Sequence, residues 1–104
     1  LLLTILFLLV TSPVFAHKVK VSAFVQSGVI HVEGLYPDDR PVKNARISVK
    51  DSNGVELIKG RADEKGRFSF PIPKIDTLKI TVGDMLGHRT TVKLRQSVIE
   101  AEQN

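Results

Sequence analysis

The chain contains no cysteine and no tryptophan, and only one methionine and one tyrosine. Without cysteine it can form no disulfide, no thiolate metal site and no cysteine nucleophile. Five phenylalanines and one tyrosine are too few to suggest an aromatic platform for stacking bases or sugars. Residues 1–16 carry no charge, so all 15 Lys and Arg and all 11 Asp and Glu fall in the rest of the 104-residue chain. That charged part is long enough for one small domain, near the lower limit for folding without staples. A catalytic cleft between two domains is excluded by size.

The uncharged segment has a purpose of its own. Leu1–Val10 is apolar except for Thr4, and Pro13, Val14 and Ala16 follow as a helix breaker and two small residues one apart. This is a short hydrophobic region with an A-x-A-like junction, shorter than the ~20 residues a bilayer-spanning helix needs. Residues 1–16 are therefore expected to be a signal peptide, with an uncleaved anchor as the alternative. The junction has no cysteine, so it is not a lipoprotein signal. The protein is expected on the periplasmic or extracytoplasmic side of the membrane, where nucleic acid is not a partner. Cleavage after Ala16 makes His17 the first residue. Its α-amine and imidazole Nδ1, which ordinarily titrate near about 8 and 6.5, can close a chelate ring on one metal ion.

Beyond the junction the pattern has period two. Lys18–Gln26 alternates Val19, Val21 and Ala23 with Lys18, Lys20 and Ser22, as a half-buried strand does. Ser27-Gly28 turns the chain into a second strand, Val29–Leu35. Further strands are expected over Asn44–Lys50, Val55–Gly60, Arg67–Ile72, Thr77–Val82 and Arg89–Leu94, separated by turns such as Asp51-Ser52-Asn53-Gly54. Pro71 and Pro73 end the fifth strand, because proline cannot donate to a ladder. Seven short strands and no amphipathic helix predict an all-β fold, one antiparallel seven-stranded β-sandwich of immunoglobulin-like or transthyretin-like kind over residues 17–95. The expected core is Val19, Val21, Ile47, Val49, Leu57, Phe68, Phe70, Ile80, Val82 and Val92. Residues 96–104 read as a frayed polar tail.

Three histidines are candidates for chemistry: His17, His31 and His88. If strand direction alternates, the first and seventh strands start at the same end, so His17 and His88 converge and His31 stands apart. Asp84 and Met85, in the loop leading to His88, are weaker candidate ligands through oxygen and sulfur. Imidazole nitrogen suits late first-row divalent ions such as Ni, Co, Cu and Zn. His31 points along with Glu33 and away from Ile30 and Val32, which predicts a half-exposed sheet-face histidine paired with Glu33. No nucleophile elbow, no Ser/His/Asp set and no phosphate loop is present, so an enzyme is not expected. The acids Asp38, Asp39, Asp51, Asp63 and Glu64 fall in turns, as capping and solvating groups. The basic residues Lys18, Lys20, Lys43, Arg46 and Lys50 lie mostly on outward strand positions. There they discourage edge pairing or meet anionic headgroups.

The stretch Arg40–Phe70, with Pro41, Asn44-Ala45, Asp51, Asn53-Gly54, Gly60, Asp63, Gly66 and Phe68-Ser69-Phe70, resembles the carboxypeptidase-regulatory-like, transthyretin-type sandwich. Ala16-His17-Lys18-Val19, Val32-Glu33-Gly34 and Gly87-His88-Arg89 resemble the small extracytoplasmic subunit of nickel/cobalt uptake transporters of the energy-coupling-factor type. That resemblance spans roughly Ala16 to Leu94. It implies an accessory role beside a membrane permease component, with Ni²⁺ or Co²⁺ as the transported ion and no organic cofactor. His17 and His88 are the matching site positions. Many members of that family continue into a C-terminal membrane helix, which the polar tail here does not match. Attachment is then expected through the partner or an uncleaved leader. The alternative reading is a structural or adhesion-type secreted sandwich module without metal.

Overall fold

The computed structural model describes residues 18–103; the expected leader and His17 lie outside the described residues. Seven strands form two antiparallel sheets: β1 (Lys20–Gln26), β2 (Val29–Leu35), β3 (Arg46–Lys50), β4 (Glu56–Arg61), β5 (Arg67–Pro71), β6 (Leu78–Gly83) and β7 (Arg89–Leu94). The order is β1-β2-β5 in one sheet and β4-β3-β6-β7 in the other. Each strand has one apolar face, and the only stable way to hide seven such faces is to press the two sheets together. Ile30 and Val32 from the smaller sheet meet Ile47, Val49, Leu78, Ile80 and Val82 from the larger, all at most 2% exposed.

Two features depart from the expected core. Leu57 is the extra residue of a β-bulge: Val49 faces Ile58 while Lys50 faces Glu56. The bulge shifts the alternation, so Ile58 takes the position opposite Val49 while Leu57 and Ile58 both pack half-buried against the core. Phe68 is half-buried rather than interior, lying over Gly60, where a Cβ would come within 2.6 Å of the ring. Val21 and Val92 are likewise only partly buried.

The C-terminal segment is a correction of a different kind. Gln96–Ala101 forms a short helix, α1, not a frayed tail. Its Ile99 is fully buried in the core, while Val98 stays exposed. The segment is tied at both ends, by Gln96 N–H to Thr77 Oγ1 at 3.1 Å and by Gly28 N–H to the Glu102 carbonyl at 2.7 Å. Val98, Ile99 and Ala101 make too short an apolar set to give a periodic signal, but a single buried isoleucine suffices to anchor six residues.

Three of the loops are the same structure. Asp51–Val55, Asp63–Arg67 and Asp84–His88 each read Asp-x-x-Gly-x. In each, the Asp N–H bonds the carbonyl four residues on, at 2.9 Å, and the Gly N–H bonds the Asp carbonyl. The Asp Oδ1 accepts from the backbone N–H groups two and four residues on, at 2.8–2.9 Å. The glycine has φ of +81°, +73° or +92°, which a side chain disfavours. This is a turn closed by a residue in the left-handed region, with a carboxylate to satisfy the donors the tight loop leaves unpaired. Tyr36–Arg40 has the same backbone frame, with Asp39 at φ +69° in the glycine position.

Ile99→Ala should lower unfolding stability by about 2–4 kcal/mol, because it empties a fully enclosed site, and Phe70→Ala by about 3–5 kcal/mol. Phe68→Ala should cost less than Phe70→Ala, since Phe68 is already partly hydrated. Denaturant titration of the three variants checks the ranking.

Candidate functional site

His88 closes the third of these loops, and there the carboxylate does more than cap backbone. Asp84 is 7% exposed overall, and its Oδ2 accepts from His88 Nδ1 at 2.7 Å and from the Tyr36 hydroxyl at 3.0 Å. With two backbone N–H groups on Oδ1, all four acceptor positions of the carboxylate are committed. Burial opposes ionisation of Asp84, but the bonds from the His88 ring, the His88 and Leu86 backbone and Tyr36 prevail, holding its pKa down to about 2. Burial and the bond to Asp84 push the Tyr36 hydroxyl the other way, above its usual value.

An ionised carboxylate can only accept, so the proton between the pair belongs to His88 Nδ1. The neutral ring then carries its lone pair on Nε2. This is the arrangement by which proteins set the tautomer and orientation of a metal-binding imidazole. Asp84, expected as a possible direct ligand, is therefore better suited to orienting His88. Met85 is 68% exposed, and its sulfur lies 3.8 Å from Arg61 Nη1, a cationic neighbour that disfavours a metal there.

The start of β1 reaches the same end of the sandwich. Thr90 Oγ1 donates to the Val19 carbonyl at 2.6 Å. Val19 follows His17 by two residues and Thr90 follows His88 by two. His31 is elsewhere, on the outer face of the smaller sheet. It stacks on Phe24 with ring centroids 4.9 Å apart, and its Nδ1 is 2.9 Å from Ser69 Oγ. The expected pairing with Glu33 does not form: Glu33 bonds Arg67 at 2.9 Å, its partner across β2 and β5. Among the described residues no group of three or more His, Asp or Glu could hold a metal ion. No described helix is long and apolar enough to cross a membrane.

Sequence reasoning named Asp84 as a weaker candidate ligand, without its bonds to His88, and passed over Tyr36. The signal was present in the repeated Asp-x-x-Gly-x, which makes Asp84 a loop cap before it is anything else. No family model matches the chain, and no curated protein or solved structure matches it.

Two outcomes follow from the pairing. Asp84→Asn places an amide donor opposite Nδ1, so the His88 proton should move to Nε2, which long-range ¹⁵N–¹H spectra read directly; an unchanged tautomer would refute the assignment. Because the folded-state pKa of Asp84 is depressed, its stabilisation is complete above the unfolded value near about 3.9 and is lost as pH falls through about 2. Asp51, lowered chiefly by Lys74 and then by backbone N–H groups, acts in the same direction. Denaturant midpoints between those pH values should fall more steeply for the natural protein than for Asp84→Asn.

Proposed function

We propose that this domain is the extracytoplasmic accessory component of a nickel/cobalt uptake transporter, presenting Ni²⁺ or Co²⁺ to a membrane permease component through His17 and His88. The observation that carries the reading is the carboxylate-held imidazole of the Asp84–His88 loop, at the end of the sandwich where β1 begins. The sequence resemblance at Ala16-His17-Lys18-Val19 and Gly87-His88-Arg89 supports it. The described residues offer one oriented imidazole at this end, so the remaining nitrogens fall to the amine and ring of a processed His17. Three nitrogens suit these ions and leave coordination positions for the receiving protein. Arg46, Arg61 and Arg89 lie on the neighbouring strands and repel a dication, which weakens retention and favours release. In this role the protein holds and passes an ion and makes or breaks no covalent bond.

Calorimetric titration with Ni²⁺ at neutral pH tests the metal site. His88→Ala and an added residue before His17 should each lower affinity at least ten-fold, because each removes nitrogen donors. His31→Ala should bind as the natural protein does. Equal affinity in all four proteins would refute the site and leave a non-metal sandwich module as the reading.

A further inference from the structure

The outer face of the larger sheet is a basic surface assembled in register. Its first row, read across β4, β3, β6 and β7, is Arg61, Arg46, Gly83 and Arg89. The second is Lys59, Ser48, Thr81 and Thr91, and the third Glu56, Lys50, Lys79 and Lys93. Residues directly opposite share a face, so Arg46 with Arg61, Lys50 with Lys79 and Lys79 with Lys93 are like-charge neighbours. Each such pair works against the fold. Among the described residues none of these seven cations forms an ion pair, and Glu56, the one acid on the face, takes a hydrogen bond from Ser48 at 2.8 Å. Discouraging edge pairing would require charge on the edge strands β4 and β7 only, yet Arg46, Lys50 and Lys79 sit on the central strands β3 and β6.

The face holds an open groove of about 1120 Å³, from Arg46, Arg61 and Arg89 in the first row to Lys50 and Glu56 in the third. Four residues of strand separate these rows, about 13 Å. Gly83 shapes its upper end, since a Cβ there would stand 3.0 Å from Arg89 Cγ, so glycine leaves room for the arginine stem to lie over β6. At the same end, the Asp84–His88 loop carries Met85 and Leu86, 68% and 80% exposed, beside Arg61. Two adjacent apolar side chains at a loop tip, bordered by three arginines, combine the two signals that peripheral proteins use on lipid: a small apolar insertion and a cationic patch.

We propose that this face docks on an anionic phospholipid surface, with Met85 and Leu86 entering the headgroup layer and Arg46, Arg61 and Arg89 engaging lipid phosphates. The lysine row then adds long-range attraction, and the domain lies against the membrane by its larger sheet. The inference is independent of the metal reading. Arginine forks suit phosphate oxygens, and each cation near such a surface contributes about five-fold to partitioning.

The test is co-sedimentation of the protein freed of residues 1–16, whose core lies wholly between Val19 and Ile99. Vesicles of phosphatidylcholine with about 30% phosphatidylglycerol should pull it down, pure phosphatidylcholine should not, and high salt should release it. Combining Arg46→Gln, Arg61→Gln and Arg89→Gln should reduce partitioning on the order of 100-fold. This variant relieves like-charge pairs and should melt no lower than the natural protein, so a folding defect would not mimic the effect. Leu86→Ser should weaken binding several-fold, and Lys18→Gln with Lys20→Gln should retain most of it. Absence of binding to the anionic vesicles, or undiminished binding by the triple variant, would overturn the proposal. So would capture by poly-glutamate together with indifference to vesicles, which would give the face to an acidic protein.

Discussion

A carboxylate satisfying backbone donors inside a five-residue loop is the interaction on which the rest of this small sandwich depends. Antiparallel sheets must turn within a few residues, and a tight turn leaves N–H groups facing inward with no strand to accept them. Asp51, Asp63 and Asp84 each resolve that problem in the same way. With no disulfide to close the loops, these carboxylates and the positive-φ glycines fix where β4, β5 and β7 begin. The capped loop is also an orienting device. Asp51 turns its second oxygen to Lys74, whereas Asp84 turns it to His88 and Tyr36. One local solution to a folding problem thus becomes, at a single loop, a means of holding an imidazole in one tautomer.

The two sheets divide the work of the surface. The smaller sheet neutralises itself: Glu33 pairs with Arg67, and His31 is held between Phe24 and Ser69. The larger sheet leaves its cations opposed to one another across β3, β6 and β7. The core beneath it, with Ile47, Val49, Leu78, Ile80 and Val82 at most 2% exposed, is tight enough to carry that repulsion. The loop bearing His88 sits at the arginine end of the same face, so ion handling and surface attachment, as proposed, would be adjacent.

Alternation of apolar and polar residues is a strictly local signal, and it located all seven strands and the inward set Val19, Ile47, Val49, Phe70, Ile80 and Val82. It failed where local order is broken or one residue decides. The bulge set Ile58 opposite Val49 beside the expected Leu57, both half-buried on the core, because nothing in Val55–Gly60 announces an extra residue. Ile99, in a stretch too short to show a period, gave none to detect. At the site, the nearness of the start of β1 to the start of β7 was legible from strand direction alone. The Tyr36–Asp84–His88 network was not, since it joins residues 48 and 4 positions apart through a carboxylate that looked like a ligand. The basic face was legible only in part: Arg46 and Lys50 were assigned outward, but cross-strand register was needed to align them with Arg61, Arg89, Lys79 and Lys93.

The central claim is that the Asp84–His88 loop and the first residues of β1 form one ion-binding end. Backbone amide spectra recorded with a small, substoichiometric addition of paramagnetic Co²⁺ test it most directly. The account predicts that signals of Leu86, Gly87, His88 and Val19 broaden first and that His31 and Ser69 are untouched. Broadening centred on His31 and Ser69, or spread evenly over the domain, would contradict it.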